Sequence, residues 1–234
     1  MSGPQKIGAI IPQVVEEIIT ESQKPEPGQK YEALERDWRK EREDERLAEI
    51  MANPERFLLK AGIGRRFLNA KLDGLKLAPP HQAAVEEFLG GEADGLFITG
   101  AVGTGKTHLA CAVARERVIS GVGVQVQSAP ALFQDIRSTF NGAGNEGEII
   151  RRFSDTTLFV LDDLGAEKGS DFTVDRLYLI VDARYADRRQ LIVTSNLTLD
   201  QIAERVHDRL ASRFAEMCRV IRLTGNDRRI RGNQ

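Results

Sequence analysis

The sequence predicts a doubly wound α/β domain built on a parallel sheet, and three features of its 234 residues carry that prediction. Short apolar runs alternate with helical patterns along most of the chain. Two of these runs, 156–161 and 190–194, lack the alternation of a half-exposed strand and read as strands covered on both faces. Between the first strand and the first long helix lies Gly100–Thr107, which fits G-x-x-x-x-G-K-[ST] and sets a ligand site at the carboxyl ends of the strands.

That loop is the centre of the chain. Gly100, Gly103 and Gly105 can adopt backbone angles closed to other residues and let the main chain approach a phosphate. The amides of 103–107 then point at the anion, at the positive end of the helix that begins with Lys106. Lys106 is expected to reach the β- and γ-phosphates of a nucleoside triphosphate, and the Thr107 hydroxyl to take a place on Mg²⁺. The cofactor-binding stretch is thus Gly100, Ala101, Val102, Gly103, Thr104, Gly105, Lys106, Thr107 and His108.

Length and composition set bounds. The chain suffices for one sizeable α/β domain and an appendage. A formal net charge of −2 excludes a globally basic nucleic-acid binder and leaves room for a local basic face. No run approaches the roughly 18 apolar residues of a membrane span, and the first residues lack the apolar core of a secretion signal. Cys111 and Cys218 stand apart from any second ligand residue and are expected to be buried, reduced thiols of a cytoplasmic protein.

In chain order, 7–21 forms a small amphipathic unit, with Val14, Val15, Ile18 and Ile19 on one stripe after Pro12. Ser22–Lys30 carries Pro25, Pro27 and Gly28 and reads as a linker. From Glu32 to Glu49 thirteen of eighteen residues are charged, at spacings that suit a solvated helix or a docking surface. After Pro54–Leu59, basic and apolar groups alternate to Leu77, and Pro79-Pro80 opens a helix to about Leu89. Strand Gly95–Thr99 feeds the loop, and the helix from Lys106 runs to about Ile119. Strand 122–127, helix 129–140, a glycine-rich stretch 141–147 and a short helix 148–153 follow. The remaining elements are strand 156–161, helix 172–188, strand 190–194, helices 199–206 and 208–216, strand 218–223 and a basic tail.

The second half of a nucleotide site is expected at Asp162-Asp163, where a buried strand ends. Asp162 is assigned to the metal, and Asp163 to orienting or deprotonating the attacking water. Asn196, just past the next buried strand, is placed to reach the γ-phosphate or the water. Arg209 and Arg213 sit one helical turn apart and suit either a neighbouring subunit's γ-phosphate or surface salt bridges. His81 and His207 have no partner pattern.

Together the stretches Gly-Ala-Val-Gly-Thr-Gly-Lys-Thr-His-Leu-Ala, Leu-Asp-Asp-Leu-Gly, Ile-Val-Thr-Ser-Asn-Leu and Asp-Arg-Leu-Ala-Ser-Arg-Phe resemble AAA+ ATPases. They look most like the clade of DnaC/DnaI helicase loaders, IstB transposition helpers and the DnaA initiator. The likeness covers about 61–231 and includes the lead-in Ala61-Gly-Ile-Gly-Arg-Arg-Phe. It implies ATP and Mg²⁺ as cofactors, Asn196 as sensor 1, Arg213 as the arginine finger and Arg228 as sensor 2. Eleven residues follow Leu223, so the helical lid of most AAA+ proteins is not expected. Asp163 stands where many AAA+ enzymes have Glu, and its shorter reach implies slow hydrolysis, typical of a switch; the finger Arg213 implies that turnover depends on assembly. The element between the second and third strands faces DNA in this clade, and here it offers Arg137, Phe140, Arg151 and Arg152.

The resemblance implies a partner-binding region at 1–60 and an AAA+ ATPase domain at 61–234. The expected function is ATP-controlled loading of a replicative helicase hexamer onto single-stranded DNA by a nucleotide-dependent homo-oligomer. The alternatives are an IstB-like ATPase assisting a DNA transposase and an adaptor that binds ATP without turnover.

Overall fold

The computed structural model describes residues 27–139, 144–165 and 170–225. The amphipathic stretch 7–21, Phe140 and Arg228 lie outside the described residues. The chain divides between Arg46 and Leu47 into two units. In the first, a helix, α1 (Pro27–Ala52), begins at a proline within the expected linker, because the fixed φ of proline suits a first helical turn. The side chains from Arg36 to Arg46 are exposed.

The second unit starts with the last turns of that helix and holds the sheet. Ile50 is already buried, so the ordered core begins ahead of the expected boundary at residue 60. Helix α2 (Pro54–Lys60) is capped by the Asn53 side chain, and α3 (Pro79–Gly90) ends at a left-handed Gly91. Strand β1 (Gly95–Gly100) leads through the loop to α4 (Lys106–Ile119). There follow β2 (Val124–Ser128), α5 (Ala129–Ser138), α6 (Glu146–Asp155) and β3 (Leu158–Leu164). The chain continues with α7 (Asp171–Ala186), β4 (Gln190–Ser195), α8 (Leu199–Arg205), α9 (Asp208–Met217) and β5 (Cys218–Leu223).

The sheet has the order β2-β3-β4-β1-β5 and is parallel throughout. Strand alternation sorts its side chains into two cores. Leu96, Ile98, Leu158, Val160 and Ile192 pack beneath α2, α3 and α4. Phe97, Phe159, Leu161, Leu191 and Val193 pack against α5 to α9. The open edge of β2 is covered by the segment after α2. Val126 N–H donates to the Ala61 carbonyl at 2.7 Å, and Gly62, at φ +91°, lies so close that a Cβ would strike the Val126 carbonyl.

Two boundaries differ from expectation for local reasons. Helix α6 starts at Glu146, inside the glycine-rich stretch, because the Asn145 carboxamide caps the Gly147 amide at 2.9 Å. Strand β3 runs through Asp162 and Asp163 to Leu164 instead of ending before them. Its register with β4 shifts by one residue between Leu161 and Leu164, the mark of a β-bulge.

A cation is sealed inside the second core. Arg184 on α7 is fully buried and donates to the carbonyls of Phe153, Ser154, Thr156, Thr157 and Gln190. These carbonyls lie at the end of α6 and the starts of β3 and β4. Burial lowers the guanidinium to about 9, a value that still leaves it charged at neutral pH.

Candidate functional site

The phosphate loop is held open by backbone geometry. Gly103 and Gly105 take φ values of +80° and +98°, so the chain turns tightly and delivers the first amides of α4 to one point. Thr104, buried at 3% exposure, braces the turn by donating to the Ala101 carbonyl at 2.8 Å. Val102 at the crest is 61% exposed. Lys106 is nearly buried, and its Nζ donates to the carbonyls of Gly100 and Ala101 at 2.9 and 3.0 Å. Its charge therefore lies inside the loop, where a phosphate would sit.

Thr107 and Asp162 are brought together from 55 residues apart. The Thr107 hydroxyl donates to Asp162 Oδ1 at 2.9 Å, with Oδ2 at 3.2 Å. Among the described residues no cluster of three His, Cys, Asp or Glu side chains can hold a metal by itself. A hydroxyl beside one carboxylate instead fits Mg²⁺, which keeps several waters and completes its shell with phosphate oxygens. The residues present thus fit both ATP and Mg²⁺. Cys111, one turn below Thr107 on α4, has its thiol pushed up to about 12 by burial and by the charge of Asp162.

The bulge on β3 presents the two carboxylates differently. Asp162 is half-buried against Thr107, whereas Asp163 is exposed and has a left-handed backbone at φ +60°. Its amide donates to Thr194 Oγ1 at 2.9 Å, and the same hydroxyl donates to Asp162 Oδ1 at 2.6 Å. On the opposite face of β4, Ser195 Oγ donates to the Leu164 carbonyl at 2.6 Å and accepts the Leu197 amide at 3.0 Å. Thr99 on β1 adds a hydrogen bond to the Leu197 carbonyl at 2.8 Å. Asn196, exposed at the end of β4, is thereby set between two anchored neighbours.

Arg213 lies on α9 and is held by its own chain. Its Nε is 2.9 Å from Asp182 Oδ1 on α7, Nη1 is 3.8 Å from Glu216, and the guanidinium stacks 4.2 Å from the Tyr185 ring centroid. The hydrogen bond to the Asp182 carboxylate raises its pKa further. Arg209 stacks on Tyr178 instead, at 5.9 Å. Of the basic groups expected to face DNA, Arg137 and Arg151 are exposed, while Arg152 gives Nε and Nη2 to the Gln125 carboxamide on β2.

A cleft of about 260 Å³ opens beside the loop, between Gly103–His108 and the lead-in residues Arg66, Phe67 and Leu75. Phe67 meets the His108 ring edge-on, with centroids 6.4 Å apart. The structure thus joins Gly100–His108 with Asp162, and sets Asp163 and Asn196 at the ends of the two adjacent strands β3 and β4. Sequence reading missed Thr194, Ser195 and Thr99. Their visible signal was a hydroxyl residue at the last positions of strands flanking the loop.

The chain is similar to known proteins over most of this unit. A profile of the family described as IstB-like ATP binding protein matches residues 71–234. The replicative helicase loader DnaC of Escherichia coli (strain K12) is 30% identical over 131 residues, 54% of this chain and 53% of that protein. The chain thus spans about half the length of that curated relative. The crystal structure of the DnaC helicase loader matches with a TM-score of 0.60 at 24% identity, over 69% of this chain and 100% of that one. The replication initiator DnaA bound to AMPPCP and single-stranded DNA matches with a TM-score of 0.61 at 25% identity, over 70% of this chain and 51% of that one. The parallel sheet with its flanking helices is that of the AAA+ domains of these proteins.

Proposed function

The chain belongs to the IstB-like ATP-binding proteins, and from that premise we propose that it is an ATP-dependent loader of a replicative helicase onto single-stranded DNA. One observation carries the reading: the Thr107 hydroxyl and Asp162 converge at the mouth of a pre-shaped phosphate loop, in a chain similar to a helicase loader over 131 residues. ATP binding and hydrolysis act as the switch.

In this reading Lys106 exchanges the Gly100 and Ala101 carbonyls for the β- and γ-phosphates, and the α4 amides hold the remaining oxygens. Thr107 and Asp162 would hold Mg²⁺, which would supply charge neutralisation on the phosphates. Asp163 orients the attacking water and accepts its proton, and Asn196 fixes the γ-phosphate or that water. Arg213 serves the γ-phosphate of a neighbouring copy in a nucleotide-dependent oligomer. Arg228 acts as sensor 2, residues 1–60 bind the helicase, and Arg137 and Arg151 contact single-stranded DNA. Among the described residues no helix is long and apolar enough to cross a membrane.

The family match supports a second reading, an ATPase that assists a DNA transposase. Co-purification from the native host separates the two. A loader brings down a hexameric helicase with ATP present and releases it on hydrolysis. A transposase recovered in its place, with assembly on duplex DNA, overturns the loader reading.

A further inference from the structure

Thr194 occupies the point where β3 bulges away from β4. Leu161 pairs with Val193 and Leu164 with Ser195, so Asp162 and Asp163 together face the single residue Thr194. A bulge leaves an amide without its ladder partner and swings the bulged residues out of line. Here the orphaned amide is that of Asp163, and the side chain of Thr194 takes it up at 2.9 Å. The hydroxyl has one proton and spends it on Asp162 Oδ1 at 2.6 Å. Thr194 is 1% exposed, so water does not compete for either bond.

We propose that Thr194 is a positioning residue for ATP hydrolysis, its single hydroxyl fixing the carboxylate of Asp162 and the left-handed backbone of Asp163 together. This rests on the roles given to Asp162 and Asp163 above. Asp162 receives two hydroxyls on the same oxygen, Thr107 from α4 and Thr194 from β4, which leaves its carboxylate little freedom to rotate. Asp163 is a non-glycine residue at φ +60°, a conformation that persists only where the surroundings impose it. The bond from its amide to Thr194 is the constraint the structure shows. One strand end thus aligns the metal carboxylate with the water carboxylate, and the same strand carries Asn196 two residues on.

The test compares Thr194→Val, which keeps the shape and deletes the hydroxyl, with Thr194→Ser, which keeps the hydroxyl. Mn²⁺ binding is measured by electron paramagnetic resonance with a non-hydrolysable ATP analogue, alongside kcat, KM and analogue affinity in EDTA. Thr194→Val is expected to weaken Mn²⁺ binding and lower kcat by about 10–100-fold, as loss of a group that orients a ligand does. Analogue affinity in EDTA stays unchanged, and Thr194→Ser restores most of the loss. If Val does not fold, Thr194→Cys replaces the hydroxyl with a weakly donating thiol on an unbranched side chain. A folded Thr194→Val or Thr194→Cys with parental Mn²⁺ affinity and kcat overturns the proposal, and so does a Thr194→Ser as damaged as Val. Asp162→Asn serves as the control. If it leaves Mn²⁺ binding intact, the metal assignment itself falls. If it abolishes binding while Thr194→Val is silent, only the role of Thr194 falls.

Discussion

Arg213 on α9 and Asp182 on α7 meet with Nε and Oδ1 2.9 Å apart, while the guanidinium lies over the Tyr185 ring, 4.2 Å from its centroid. An arginine held through Nε and its face is pre-ordered, and its remaining N–H groups stay directed along one edge. Arg213→Ala is expected to keep ATP binding in the isolated subunit and to lose assembly-dependent turnover by about 10³-fold or more. Mixed with Lys106→Ala subunits, it should regain part of its activity, because each variant supplies what the other lacks. Absence of recovery at every ratio, with mixed assembly confirmed, counts against an arginine supplied by the neighbour.

Lys106→Ala should abolish ATP binding. The change removes the cation already seated among the loop carbonyls and leaves no charge to meet the β- and γ-phosphates. Calorimetric titration with ATP and Mg²⁺ checks it, and parental affinity would refute the site.

Asp163→Asn separates binding from hydrolysis unusually cleanly. Asparagine tolerates the left-handed backbone at φ +60°, so the bulge keeps its form while the side chain loses its capacity to take a proton. ATP affinity and melting temperature should match the parent, with turnover reduced at least about 100-fold. Hydrolysis at the parental rate would assign the water to another residue.

Gly100→Ala should destabilise the domain by more than about 2 kcal/mol, through overpacking against rigid main chain. A Cβ there runs into the Leu223 carbonyl on the neighbouring strand, and φ at this residue is +154°. Urea unfolding measures the loss, and an unchanged midpoint would contradict the packing described.

Much of this architecture was legible because its signals are local. The phosphate loop needs its glycines in sequence, and α4 runs from Lys106 to Ile119, the span expected of it. Buried parallel strands announce themselves as apolar runs. What escaped depends on partners far along the chain. The bulge at Asp162-Asp163 exists only against β4, so its sequence resembles a strand followed by a turn. Thr194 reads as an ordinary strand residue until Asp162 arrives from 32 residues away. Arg184 falls among charged positions that by default face water, and only five carbonyls from three elements explain its burial.

The division of the chain predicts where truncation is tolerated. Removing residues 1–46 should leave nucleotide binding and the melting temperature intact while abolishing partner binding. Extending the deletion through residue 60 removes Ile50 and Leu58, which are 1% and 3% exposed, and should lower stability by several kcal/mol, at about 2 or more for each core side chain. A short truncation that no longer binds ATP would show that the region packs on its own ATPase domain.

The buried guanidinium also has a consequence for the order in which this protein comes apart. Arg184 fastens α7 simultaneously to the end of α6 and to the first residues of two neighbouring strands. None of these can leave alone without stranding a cation or a set of carbonyls away from water. The end of α6, β3, α7 and the start of β4 are therefore tied together, and their amides are expected to exchange with solvent through a shared opening instead of fraying piece by piece. The block carries Asp162 and Asp163 at its centre, so the carboxylates proposed to face nucleotide are expected to open only together with it.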